Sequence, residues 1–149
     1  MMNRNKRIVD ALTSTARINP DEYSVKTSQN RLKSLGYALA GWLYMLRWQK
    51  NVRILILASV LATAVAVWLQ VSTSELAVII LVISTVWMAE FMNAAVESVV
   101  NLATDEWHPM AKVAKDVAAA AVLLGVVAAV LVGLLVLGPP LLLRLGLTG

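Results

Sequence analysis

The sequence predicts an all-α membrane protein in which one amphipathic surface helix precedes three transmembrane helices. Of its 149 residues, 59% are hydrophobic and only 15% are charged, whereas about a quarter of an ordinary soluble domain is charged. The apolar residues are gathered into three long runs separated by short polar segments, which is typical of helices that cross a bilayer. The chain has no cysteine, so a disulfide framework and a thiolate metal site are both excluded.

Basic residues are concentrated in the N-terminal part of the chain. Ten of the thirteen lysines and arginines lie at or before Arg53, together with three acidic residues. Such a flank is typical of the cytoplasmic side of a membrane protein, so we expect a membrane partner and no nucleic acid. Residues 1–27 are polar and contain no apolar core of a secretory signal. They predict a cytoplasmic extension that stays in the mature chain.

Residues 28–50 predict the surface helix. Their leucines recur at helical spacing on one stripe, accompanied by aromatic residues suited to the headgroup region. No acidic residue occurs between Glu22 and Glu75, so anionic lipid is the natural partner of this helix. The stripe consists of Leu32, Leu35, Leu39, Leu43 and Leu46, and the aromatic residues are Trp42, Tyr44 and Trp48.

Three apolar segments predict the membrane spans, at about residues 52–70, 76–100 and 116–137. A hydrocarbon core of about 30 Å needs about 20 helical residues, which each segment approaches or exceeds. Gly138-Pro139-Pro140 is expected to end the third span, because proline has no backbone N–H with which to continue the helical hydrogen bonds.

The distribution of lysine and arginine predicts the orientation. The turn at 70–75 has neither residue, whereas the loop at 101–116 carries Lys112 and Lys115. Because cytoplasmic loops carry an excess of basic residues, we expect the N-terminus and the 101–116 loop in the cytoplasm and the C-terminus outside. Arg144 is the single charge that disagrees with this orientation.

The second span carries four polar side chains on one face. Glu90, Asn93, Glu97 and Asn101 fall within an arc of about 80° on a helix of 3.6 residues per turn, and the residues between them are apolar. Because each acid at a span centre costs about 2.5–3.5 kcal/mol, such a stripe marks either a site or an internal pair. Two carboxylates can bind a hard cation such as Mg²⁺, or one can take a proton while the other holds metal. Three spans are too few to shield the stripe from lipid, which predicts a homo-oligomer.

The start of the third span combines two lysines with one acid. Lys112, Lys115 and Asp116 could meet a phosphate and orient one another, or they could form an ordinary basic flank neutralised by one acid. His108, beside Pro109 in the loop, is expected to be a solvated or capping residue rather than a metal ligand.

Two blocks of sequence resemble a known family. "EFMNAAVESVVN", residues 90–101, and "EWHPMAKVAKDVAAAAVLL", residues 106–124, are similar to the prokaryotic diacylglycerol kinases. That family consists of small integral-membrane lipid kinases and includes an undecaprenol kinase branch, and the resemblance covers roughly residues 30–137. It implies a homotrimer in the bacterial cytoplasmic membrane, with active sites shared between subunits. It also implies transfer of the γ-phosphoryl group of MgATP to a lipid hydroxyl.

The resemblance implies roles for individual residues by position. Glu90 corresponds to the base near the lipid hydroxyl, with Phe91 and Met92 beside the lipid. For the nucleotide and metal, the corresponding residues are Asn93 and Glu97, followed by Lys115 and Asp116 as the phosphate-contacting and supporting pair.

The sequence departs from the family pattern at two positions. In "GYALAGWLYMLRWQKNVRIL", Gln49 stands where many members carry a second metal-binding glutamate. An amide can hydrogen-bond, but it lacks the negative charge that anchors Mg²⁺. Metal binding is therefore expected to depend more on Glu97. Asn101 stands where some members have aspartate.

The acceptor and the activity itself leave alternatives. "HPMAKVAKDV" favours undecaprenol over diacylglycerol by a small margin. A non-catalytic assembly protein would use the polar stripe for interhelical hydrogen bonds and residues 118–121, all alanine, for packing. An ion-conducting oligomer is disfavoured, because the stripe lies at one end of its span and provides no continuous polar path.

Overall fold

The computed structural model describes residues 31–147, and all of its regular structure is helical. Three helices are long and apolar enough to cross a membrane, which confirms the predicted spans. The 1–27 extension and the first residues of the predicted surface helix, 28–30, lie outside the described residues. The four helices are α1, Arg31–Trp48; α2, Lys50–Trp68; α3, Thr73–Ala103; and α4, Pro109–Arg144.

The described residues fall into two units, residues 31–41 and residues 42–147. In the first unit, the described residues 31–41 form exposed helix, and their position at a membrane surface stays a prediction. The second unit contains the rest of α1 and the three spanning helices. There Trp42 contacts Trp87 and Phe91 of α3 with ring centroids 5.3 and 4.8 Å apart. This part of α1 is therefore held on α3 by aromatic packing.

The turn between α2 and α3 is short because both helices are capped within it. After α2, the N–H of Gln70 bonds the carbonyl of Val67 at 3.1 Å, and Gln70 adopts a positive φ of 56°. This is the left-handed turn that satisfies the last carbonyls of a helix. Ser72 then caps α3, and its side chain and backbone exchange hydrogen bonds with Glu75. Such a capping box fixes the first turn of the next helix.

The loop between α3 and α4 ends in a side-chain cap. The Nδ1 atom of His108 accepts a hydrogen bond from the N–H of Met110 at 3.2 Å. Pro109 occupies the first turn, where its missing N–H costs nothing. Of the two roles expected for His108, solvated or capping, the structure shows the cap.

Helix α4 does not end at Gly138-Pro139-Pro140, as the sequence suggested, but continues to Arg144. The prolines remove two backbone donors, yet spanning helices tolerate proline when neighbouring groups compensate. Here the part of α4 beyond the prolines is held by a contact of Arg144 with α2. Nη1 of Arg144 donates to the carbonyl oxygen of Trp68 at 2.6 Å, and the guanidinium lies 4.5 Å from the centroid of its ring. Gly146, with φ +69°, then ends the helix in a left-handed turn.

This contact also explains the position of Arg144, the one charge that disagreed with the predicted orientation. Arg144 lies against the C-terminal end of α2, where the free carbonyls carry partial negative charge. Its position is determined by that helix end, and it pairs with no acidic residue in the part of the chain described here.

The spans pack through small and apolar residues. A Cβ built on Gly125 of α4 would lie 3.7 Å from the side chain of Val86 on α3, a close approach typical of helices in membranes. Met45, Val52 and Ala94 form a buried cluster that joins the end of α1, the start of α2 and the middle of α3. Helix α4 has no buried residue among those described. Much of its apolar surface is therefore left for lipid or another subunit.

Candidate functional site

Glu90 is the most deeply buried ionisable side chain in the described chain. It lies on α3 and is 2% exposed. Its carboxyl group forms no hydrogen bond or ion pair with any other described residue. Ala94, one helical turn further along, packs with Met45 and Val52, so the junction of α1 and α2 covers this face of α3. The side chain as a whole is buried, and its carboxyl group has no partner in the described part of the chain. An ionisable group in this setting on a spanning helix usually marks a functional site.

Asn93 and Glu97 form a pair one helical turn apart. Nδ2 of Asn93 donates to Oε1 of Glu97 at 3.3 Å, with Asn93 only 8% exposed and Glu97 half-buried. Oδ1 of Asn93 is buried and has no partner among the residues described. The predicted stripe on α3 thus offers oxygen atoms that are not already satisfied within the chain.

This donor set fits a hard cation such as Mg²⁺. The available ligands are a carboxylate and an amide oxygen, and Mg²⁺ prefers oxygen. Within residues 31–147, no three His, Asp or Glu side chains come together to form a complete metal site. Mg²⁺ usually takes one or two carboxylates and completes its shell with water and substrate phosphates. The prediction that Glu97 and Asn93 would hold it therefore needs no third protein ligand.

Gln49 lies at the junction of α1 and α2. It occupies the N-cap position of α2 with an extended backbone and is half-buried, but its side chain does not cap the helix. Its amide is therefore left available at the junction that covers α3 near Ala94. Whether Gln49 contributes to a metal site stays a prediction.

At the other end of the stripe, the partner of Lys115 is Asn101 and not an acidic residue. Nζ of Lys115 donates to Oδ1 of Asn101 at 2.8 Å, which joins α3 to α4. Asp116, predicted to support Lys115, instead forms an ion pair with Lys112 one turn earlier. That pair is about 60% exposed on both sides, and such surface pairs contribute little stability. Lys115 and Asp116 thus have different partners in the structure, and their roles beside the phosphates stay predictions.

A cavity of about 390 Å³ with both polar and apolar lining lies beside Lys115, between the end of α3 and the start of α4. Its wall includes Asn101 and the loop residues Thr104, Asp105, Glu106 and Trp107. The loop is shaped by Thr104, whose hydroxyl bonds both the N–H and the carbonyl of Glu106 at 3.2 Å. Sequence reasoning did not include these loop residues, because the segment "TDEWHP" shows no periodic pattern to place them.

The two residues predicted beside the lipid face different neighbours. Phe91 is half-buried in the aromatic cluster with Trp42 and Trp87. Met92 is 64% exposed and lines an apolar groove between α3 and α4, together with Ala89 and Val96. A lipid chain in that groove would contact Met92 but not Phe91, and both assignments stay predictions.

Comparisons with known proteins agree with one family. A family profile described as prokaryotic diacylglycerol kinase matches residues 36–137. The chain is 42% identical over 118 residues to a diacylglycerol kinase of Synechocystis sp., which covers 78% of this chain and 67% of that protein. It is 36% identical to a diacylglycerol kinase of Pseudomonas aeruginosa, over 70% of this chain and 85% of that protein. It is also 42% identical to an undecaprenol kinase of Bacillus subtilis, over 48% of this chain and 58% of that protein.

Proposed function

This chain belongs to the prokaryotic diacylglycerol kinase family, whose members are lipid kinases, and we propose that it transfers the γ-phosphoryl group of ATP to a lipid hydroxyl. The observation that carries the proposal is Glu90, a buried residue whose carboxyl group has no partner among the residues described, one turn from the Asn93–Glu97 pair. A proton acceptor and an oxygen donor set on one helix face are what phosphoryl transfer to an alcohol requires.

In the proposed reaction, Glu90 accepts the proton of the lipid hydroxyl. The hydroxyl oxygen forms a bond to the γ-phosphorus, the bond from that phosphorus to the bridging oxygen breaks, and ADP leaves with the bridging oxygen. Glu97 and Asn93 would hold Mg²⁺, which when bound supplies charge neutralisation for the phosphates. Lys115 adds a positive charge near the same end of α3.

The depth of Glu90 supports a lipid acceptor. It lies 17 residues after Thr73, about 26 Å along α3 at 1.5 Å per residue, and therefore near the interface opposite the 70–75 turn. A lipid alcohol can keep its chain in the bilayer and present its hydroxyl at that depth. We place this interface on the cytoplasmic side of the bacterial plasma membrane, where ATP is available and where the basic N-terminal residues are expected.

The test of this proposal is Glu90→Gln, assayed for ATP-dependent lipid phosphorylation in mixed micelles. The change keeps the shape and removes the base, so we expect activity to fall by about 10²- to 10⁴-fold. The matched control is Glu75→Gln, at the opposite end of the same helix, where glutamine also completes a capping box. We expect near wild-type activity in the control. A wild-type rate in Glu90→Gln would refute the base assignment, and no ATP consumption with any lipid alcohol would favour the non-catalytic assembly protein.

Two lipid alcohols are candidates for the acceptor. Short-range similarity in "HPMAKVAKDV" favours undecaprenol, whereas the similarity to the Synechocystis diacylglycerol kinase extends over 118 residues, against 72 for the undecaprenol kinase. We rank diacylglycerol first on this broader coverage and undecaprenol second. A comparison of kcat/KM for the two lipids, at matched surface concentration in one detergent, tests the ranking. A clear preference for undecaprenol would reverse it and leave the kinase assignment intact.

A homotrimer is part of the proposal. Helix α4 has no buried residue in the described chain, and small residues of α4, Ala114, Ala118 and Ala121, line the groove beside Asn93. Close approach of another subunit at such residues would enclose the polar stripe. Mixing Glu90→Gln with Asp116→Asn subunits, each expected to lose most activity on its own, tests whether sites are shared. Recovery of activity in the mixture supports shared sites, and its absence argues that each chain contains a whole site.

A further inference from the structure

Lys115 is held by a neutral partner. Its Nζ donates to Oδ1 of Asn101 at 2.8 Å, and this is its one side-chain hydrogen bond among the residues described. Asp116, the adjacent carboxylate, is taken by Lys112. Asp105 and Glu106 line the same cavity as Lys115, but neither comes within 4.0 Å of it as an ion pair. The ammonium is therefore tethered across two helices without being neutralised.

Because the partner of Lys115 is an amide, the hydrogen bond leaves the positive charge of the ammonium intact. An ammonium has three donors, and Asn101 uses one, which leaves two for a ligand. An amide oxygen orients the group through its dipole but cancels no charge, whereas a carboxylate in the same place would form an ion pair. Lys115 is half-buried as a residue, but its hydrogen bond to Asn101 is exposed, so a ligand from solution can reach the ammonium.

We infer that Asn101 is a positioning residue: it holds Lys115 toward the cavity at the α3–α4 loop while leaving its positive charge available to the phosphates of the nucleotide. The inference rests on the proposed kinase function. The further claim is that a neutral side chain at position 101 gives the protein a higher affinity for MgATP than a carboxylate would. If the hydrogen bond served only to join α3 to α4, a different result would be expected, since aspartate at position 101 would bind Lys115 at least as well.

The test compares Asn101→Asp with Asn101→Leu in the full-length protein in detergent. Equilibrium binding of MgATP as a non-hydrolysable analogue is measured, together with KM and kcat for MgATP. We expect Asn101→Asp to weaken analogue binding and raise KM by about three- to tenfold with kcat nearly unchanged, because Lys115 stays in place but is neutralised. Asn101→Leu frees Lys115, so both kcat and affinity are expected to fall. Ser98→Ala, which removes only a hydrogen bond within α3 to the carbonyl of Ala94, is the matched control.

A double-mutant cycle separates positioning from simple structure. In the Lys115→Gln background, Asn101→Asp is expected to have no further effect on analogue binding, because its effect passes through the ammonium. Additive losses, or unchanged affinity in Asn101→Asp, would overturn the inference even if lipid phosphorylation is normal. Analogue binding needs no acceptor lipid. A protein that phosphorylates no lipid, yet shows the expected dependence on Asn101, would refute the proposed kinase function and support the role of Asn101.

Discussion

The contact between Arg144 and Trp68 gives a quantitative test of the helix that continues past two prolines. Replacing Arg144 with methionine keeps a long side chain and removes the charge and the donors. The hydrogen bond to the Trp68 carbonyl, at 2.6 Å, has a charged donor, and such bonds contribute about 1.5–3 kcal/mol. The guanidinium lies 4.5 Å from the ring, a cation–π contact of about 0.5–1 kcal/mol at an exposed site.

The total loss of stability is expected to be smaller than the sum of these two contributions, because the hydrogen bond is exposed and competes with water. We therefore expect Arg144→Met to lower the free energy of unfolding by about 1–2 kcal/mol. Arg144→Lys keeps the charge but loses the planar group that stacks on the ring, so its loss should be smaller. Unfolding in mixed micelles with increasing denaturing detergent, followed by tryptophan fluorescence, measures both losses.

The control is Leu143→Met, at a neighbouring position that is 65% exposed, where we expect stability close to wild type. Kinase activity should survive in all three variants under stabilising conditions, because Arg144 lies at the end of the bundle opposite Glu90. Equal stability of Arg144→Met and wild type would refute the reasoning. It would mean that α4 does not carry Arg144 back to Trp68, and hence that the prolines redirect the chain.

Three further predictions concern the turn, the orientation and the metal. Gln70→Gly should raise the unfolding free energy by about 0.5 kcal/mol, because glycine adopts the positive φ of 56° without the steric cost that glutamine pays; an unchanged unfolding midpoint would contradict this. Single cysteines placed at Ser74 and Leu102 should react with an impermeant thiol reagent from outside and from the cytoplasm respectively, and the reverse pattern would invert the topology. Gln49→Glu should lower the Mg²⁺ concentration needed for half-maximal activity, because it adds a charged oxygen ligand; a higher requirement would show that the site is built around the amide.

The sequence by itself determined the features that depend on neighbours along the chain. Three spans follow from the length and composition of the apolar runs, since the bilayer imposes a length on any helix that crosses it. The stripe from Glu90 to Asn101 follows from helical periodicity alone. The place of His108 beside Pro109 in a loop predicted a solvated or capping residue and disfavoured a metal ligand. In each case the physical cause acts within a few residues, so a local pattern is enough to predict it.

Only the tertiary structure decided which side chains meet. The end of α4 depends on Arg144 and Trp68, which are 76 residues apart, and no local rule for proline contains that contact. The partner of Lys115 is Asn101, 14 residues earlier on another helix, while the carboxylate beside it in sequence turns to Lys112. Adjacent residues on a helix point about 100° apart, so sequence neighbours such as Lys115 and Asp116 face different surroundings. The helix crossing then selects the partner of each side chain, because distance in space and not along the chain determines a hydrogen bond.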